Sequence, residues 1–233
     1  MMRGKGGGEQ ASHATGMMAH MTHHAQAERA ALCDTLEAVG PQAPTLCDPW
    51  DAAELAAHLV IRERRPDLAA GIVVPGLRAR TERVQSEYAA KPWPELVGLV
   101  RSGPPVWSPA RLGPVDEAYN LVEFFVHHED VLRATATGPQ REISGELQAA
   151  LWSTLGRLGR LLFRRARTGV VLLSPGHGRY AVHGPTGLGT VILQGEPSEL
   201  LLAGYGRPQV AALEPQGSDE AVHALMASRL GLA

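Results

Sequence analysis

The stretch that most constrains this chain is AYNLVEFFVHHEDVLRA, residues 118–134, in which Asn120, Glu123, His127 and Asp130 recur at helical intervals. At about 100° per residue those intervals superpose the four polar side chains in one stripe roughly 80° wide. Val126 and Tyr119 border the stripe on one side, Val131 and Phe124 on the other, and Leu121, Val122, Phe125 and Leu132 make most of the remaining surface apolar. A helix that is apolar nearly all round belongs in a core, so the stripe should face an interior space. Carboxylates and imidazoles removed from water need partners there. His128 and Glu129 point away from the stripe and are read as surface or packing groups.

A Glu and a His four residues apart can reach one divalent ion, and bundle metal sites are assembled from such inward-facing pairs on facing helices. His58 is the natural third donor, because the other histidines lie in the N-terminal tail, in the C-terminal region or beside His127 at a divergent angle. Two imidazoles and one carboxylate leave a coordination position open, as in a catalytic zinc or similar transition-metal site. Asp130, and less directly Asn120, would either orient the ligands from outside or supply a fourth one. Taken alone, a Glu-x-x-x-His pair on a helix is most often an exposed face or a satisfied core pair. Glu54, Arg62 and Arg65 lie on the His58 side of its helix, the composition of a solvated stripe.

The rest of the chain frames this segment. Residues 1–22 lack periodicity and are expected to be a disordered tail. Helices are expected from about His24 to Val39, from Asp51 to about Arg65, over 76–90, over 115–135 and over 144–167. Asp51 and Glu54 form a capping box at the second start. The Pro-rich segment between Pro66 and Pro114 should join these helices rather than pack, apart from the helix over 76–90 and a short turn. After Gly169 the texture changes to short β-rich runs (VVLLS, RYAVHG, TVILQG), a helix opened by Pro197, a run VAAL and a last helix from about Ser218. The expectation is an α+β protein, mainly α, with a helical bundle over 23–168 and a small α+β domain over 169–233.

Composition narrows the function classes. Lys+Arg 22 against Asp+Glu 24 leaves a net charge of −2, without the basic excess that nucleic-acid binding requires. The arginines Arg157, Arg160, Arg164 and Arg167 make a basic helix face whose usual meaning is solvent. No apolar run reaches the roughly 18 residues of a membrane span, and the N-terminus lacks a signal-like apolar region. The expected location is the cytoplasm, where Cys33 and Cys47 default to free thiols, Cys47 as a buried loop thiol.

The strings LCDPWDAAELAAHLVIRERR and NLVEFFVHHEDVLRA together resemble the mycothiol-dependent maleylpyruvate isomerase family, within the DinB-like metal-binding four-helix bundles. The matching elements are Trp50, the capped helix start, Leu55 and His58 in the first string, and Glu123, His127 and Asp130 in the second. VILQGEPSELLLAGYGR resembles the family's small C-terminal domain, so the resemblance spans about residues 24–233. It implies a zinc-type ion on His58, Glu123 and His127 and a low-molecular-weight thiol such as mycothiol as cosubstrate. It implies either thiol addition to an activated double bond, for isomerisation, or thiol attack on an electrophilic carbon, for conjugation and transfer. Arg207, in the GYGR string, falls where arginines hold acidic substrates, and a homodimer is compatible with the family. The rival readings are a non-catalytic metal-binding or sensor module, and a plain bundle in which Glu123 and His127 are a hydrogen-bonded pair.

Overall fold

A computed structural model describes residues 8–65, 67–68, 78–106, 108, 113–134 and 141–232. The chain divides into two compact units, residues 1–140 and 141–233. Among the described residues the first unit holds α1 (Gly8–Val39), α2 (Ala52–Arg64), α3 (Arg78–Ala89), α4 (Trp93–Ser102) and α5 (Gly113–Leu132). The helix α1 starts at Gly8 rather than near His24. Residues 8–22, expected to lack structure, are therefore its first turns: Ala, Met, Gln and Glu there are helix formers and no Pro interrupts them.

The helix α1 packs along α5, and both α1 and α2 pack against α4, while α3 lies on α2. Their shared core is built from Leu32 and Leu36 of α1, Leu55, Leu59 and Val60 of α2, Leu96, Val97 and Val100 of α4, and Phe124 and Val131 of α5. The Pro66–Pro114 crossover thus does more than join helices. Leu96, Val97 and Val100 recur at helical spacing, Pro94 opens the helix, and the three side chains are fully buried. In α2 the Asp51 carboxylate accepts from the Glu54 amide at 3.0 Å, and Glu54 Oε2 accepts in return from the Asp51 amide at 3.3 Å. This reciprocal cap fixes where α2 begins, and with it the phase at which His58 turns inward.

The second unit contains α6 (Gly145–Leu162), β1 (Gly169–Ser174), β2 (Gly178–His183), β3 (Thr190–Gln194), α7 (Pro197–Gly204), β4 (Glu214–Gln216) and α8 (Asp219–Met226). The sheet order is β2-β1-β3-β4, with β1 parallel to β3 and the outer pairs antiparallel. The helix α6, grouped with the bundle in the sequence reading, packs on α7 and β2 of this unit. Gly156 and Gly159 permit that approach: a Cβ at either would stand 2.7 Å from the Tyr180 hydroxyl or 2.6 Å from Val182 Cγ1. Gln148 donates to the Ser198 hydroxyl at 3.0 Å and accepts from the Ser198 amide at 2.9 Å, closing the start of α7. The run VAAL passes through a turn and irregular chain. Pro208 opens a turn there, and the following Glu214–Gln216 pairs with β3 instead. Among the described residues no helix is long and apolar enough to cross a membrane. Removing the α2 cap in Asp51→Ala should lower stability by about 1 kcal/mol in urea unfolding, whereas a difference within error would assign the start of α2 to packing alone.

Candidate metal centre

The helix α5 is buried from Asn120 to Val131 except at Glu123, as the apolar surround of its polar stripe demands. His58 is buried on α2 with its ring centroid 5.4 Å from that of His127, and Trp50 packs on its other side at 5.0 Å. One donor atom each of His58, Glu123 and His127 lies within 4.8 Å of the other two. His127 Nε2 is 3.4 Å from Glu123 Oε2, and Glu123 is the most exposed of the groups around it, at 21% against 10% for His127. The three predicted donors therefore converge, with the side open to solvent at the carboxylate.

The other side of the His127 ring meets Asp130 and Cys47. Its Nδ1 lies 3.0 Å from Asp130 Oδ2, and the thiol of Cys47 donates to the same oxygen at 3.0 Å. A carboxylate oxygen can only accept, so Nδ1 carries a proton and Nε2 is the nitrogen turned to Glu123. Asp130 acts through His127 rather than beside Glu123. Asn120 is fully buried between two charges: its Oδ1 accepts from Arg62 at 2.6 Å and its Nδ2 donates to Glu63 at 3.0 Å. Both its polar ends are occupied by protein partners.

Two residues at this centre were not expected from the sequence. Arg62, read as part of a solvated stripe, has a side chain only 7% exposed and places Nε 3.6 Å from Glu123 Oε2. The available signal was its position one helical turn beyond His58. Cys47 carried no signal, because its partners lie 80 and 83 residues away. Behind Arg62 the chain of charge continues: Arg29 of α1 grips Glu63 with two 2.6 Å bonds, donates to the Val100 carbonyl at 3.0 Å and stacks 4.3 Å above Phe124. His128 and Glu129 are packing groups, His128 Nε2 at 2.8 Å from the Thr35 hydroxyl and Glu129 accepting from Arg133 at 2.6 Å. Arg207 follows α7 in the second unit, on none of the elements that carry this cluster, and donates to the Tyr205 carbonyl.

The electrostatics separate the two histidines. Burial, reinforced by the neighbouring His127 and Arg62, pushes the His58 imidazole down to about 3. Burial also opposes charge on His127, yet hydrogen bonds to Asp130, Cys47 and Glu123 outweigh it and raise this group well above 6.5. Burial disfavours the Glu123 carboxylate, but His127 and Arg62 hold it down to about 2. A neutral buried imidazole, an ionised carboxylate and a second imidazole fixed in one orientation are a donor set suited to a divalent transition metal. In metal-free protein the His58 ring resonances should therefore titrate near pH 3 rather than 6.5. Between those values the unfolded chain takes up a proton that the folded chain refuses, so His58 subtracts stability as the pH falls. His127 acts oppositely, its stabilisation complete below 6.5 and lost as the pH rises through its raised folded value. A His58 midpoint near 6.5 would contradict this burial.

No protein-family model matches this chain, and no curated protein matches its sequence. Among solved structures, the crystal structure of the mycothiol-dependent maleylpyruvate isomerase superposes with a TM-score of 0.59, covering 86% of this chain and 94% of that one at 15% identity. A histidine-to-alanine mutant of the same isomerase gives a TM-score of 0.59 over the same shares at 14% identity. At such identity the likeness is one of fold: this chain, mainly α with a small four-stranded sheet, shares the fold of the mycothiol-dependent maleylpyruvate isomerase.

Proposed function

We propose that this protein is a divalent-metal enzyme, zinc being the first candidate, that uses a low-molecular-weight thiol of the mycothiol type for transfer of the sulfur to an electrophile or for cis–trans isomerisation of an unsaturated substrate. The observation that carries this reading is the convergence of His58, Glu123 and His127, one donor atom of each lying within 4.8 Å of the other two. The fold shared with an isomerase described as mycothiol-dependent supports the thiol. A divalent ion held by these three residues would lower the pKa of a coordinated thiol and present its sulfur as a nucleophile.

The chain's own groups prepare that chemistry. His58 stays neutral and needs to lose no proton before acting as a donor. Arg62 keeps the Glu123 carboxylate ionised and adds a buried positive charge that favours an anionic group at the same place. Asp130 takes the Nδ1 proton of His127 as a hydrogen bond, leaving Nε2 for the ion.

The decisive experiment is elemental analysis of protein purified without an affinity-metal column, beside a Glu123→Ala/His127→Ala variant treated identically. About one transition metal per wild-type chain, lost in the variant together with thiol-dependent turnover, is the expected result. Absence of metal after zinc is offered, or undiminished thiol-dependent turnover in His127→Ala, would overturn the reading. Metal that raises the melting temperature without any thiol binding would point to the non-catalytic module. Because hydrogen bonds to Asp130, Cys47 and Glu123 raise the His127 imidazole in the metal-free protein, ion binding should be accompanied by proton release, read by calorimetry at pH 7 in buffers of different ionisation enthalpy. Affinity should fall as the pH falls; binding without proton release would place the ion elsewhere.

A further inference from the structure

Cys47 sits in the loop between α1 and α2, and that loop is built onto the end of α5. The Leu46 amide donates to the Asp130 main-chain carbonyl at 3.0 Å. Thr45 Oγ1 donates to the Trp50 carbonyl at 2.7 Å and accepts from the Cys47 amide at 3.1 Å, while the Trp50 amide donates to the Cys47 carbonyl at 2.8 Å. The turn thus delivers the Cys47 thiol to Asp130 Oδ2 at 3.0 Å, with Sγ 3.7 Å from His127 Nδ1. Asp130 is fully buried, and its Oδ2 accepts from thiol and imidazole together.

From this arrangement we infer that Cys47 is a positioning residue for the metal centre: by donating to Asp130 it fixes the carboxylate that holds His127 with its proton on Nδ1 and its Nε2 turned toward Glu123 and His58. The inference rests on the metal-centre reading above and gives a role to a thiol that the ligand set does not use. A carboxylate with one donor removed can rotate about its own axis, and an imidazole that loses its fixed acceptor can turn or change tautomer. Neither motion touches a ligand directly, yet both move the donor atom of one. Serine at this position also donates to a carboxylate; alanine and valine cannot.

The arrangement has one competing chemistry. Cys47, His127 and Asp130 also bring a sulfur, a nitrogen and an oxygen within 4.8 Å of one another, so a soft ion taken on the Nδ1 side would make Cys47 a ligand itself. Cobalt(II) distinguishes the two, since a cobalt–thiolate bond absorbs intensely in the near ultraviolet and a hydrogen-bonded thiol does not.

The test is cobalt(II) and zinc titration of the full chain as wild type, Cys47→Ala and Cys47→Ser, with affinity read by chelator competition and the absorption spectrum recorded at saturation. The expected result is no thiolate band in the wild type, metal affinity weakened roughly 10- to 100-fold in Cys47→Ala with a changed visible cobalt spectrum, and recovery of both in Cys47→Ser. Cys47→Val, close in shape and unable to donate, replaces the alanine variant if that one does not fold. Equal affinities and spectra in all variants would overturn the inference while leaving the metal centre standing. A thiolate band in the wild type, lost in both variants, would overturn it by making Cys47 a ligand. A wild type that binds neither ion would overturn the metal-centre reading, and this inference with it.

Discussion

The helical unit depends on a line of buried charge that runs Arg29, Glu63, Asn120, Arg62, Glu123 and crosses three helices. Each member would be costly to bury alone, and removing one partner from such a pair typically costs about 3–5 kcal/mol because the other charge is stranded. The alternation of sign along the line is what makes the burial tolerable. It also does what apolar packing cannot: Phe124 and its neighbours hold the helices together, but they would tolerate rotation of α2 against α1 far better than a two-pronged Arg29–Glu63 bond does. The last charge in the line belongs to Glu123, so the orientation of that carboxylate is decided by contacts reaching back to α1.

Much of this was legible in the sequence, and the limits have a physical cause. The stripe of Asn120, Glu123, His127 and Asp130 could be read because it lies on one helix, where spacing alone determines a shared face. The capping box of Asp51 and Glu54 is equally local, and the strands after Gly169 announced themselves by β-rich runs between Gly and Pro. What could not be read is which face meets which neighbour. Arg62 shares a face with His58, but whether that face is wet or dry is a property of α5, not of α2. The stripe of Leu96, Val97 and Val100 was hidden by the prolines around it, and α6 shows an apolar face that fits a bundle as well as the sheet it covers. Cys47 is the extreme case, a loop thiol whose meaning depends entirely on where another helix ends.

The two histidines of the centre sit side by side with opposite acid–base character, one neutral to about pH 3 and the other protonated above the ordinary imidazole range. The asymmetry comes from what each ring touches. His58 lies against Trp50 and near other cationic groups, whereas His127 is held between two carboxylates. The positive charge that faces Glu123 is shared between His127 and Arg62, while Asp130 meets His127 alone of the two. The orientation of Glu123 and His127 is set by bonds to Arg62, Asp130 and Cys47, so the shape of the cluster is written into the fold itself.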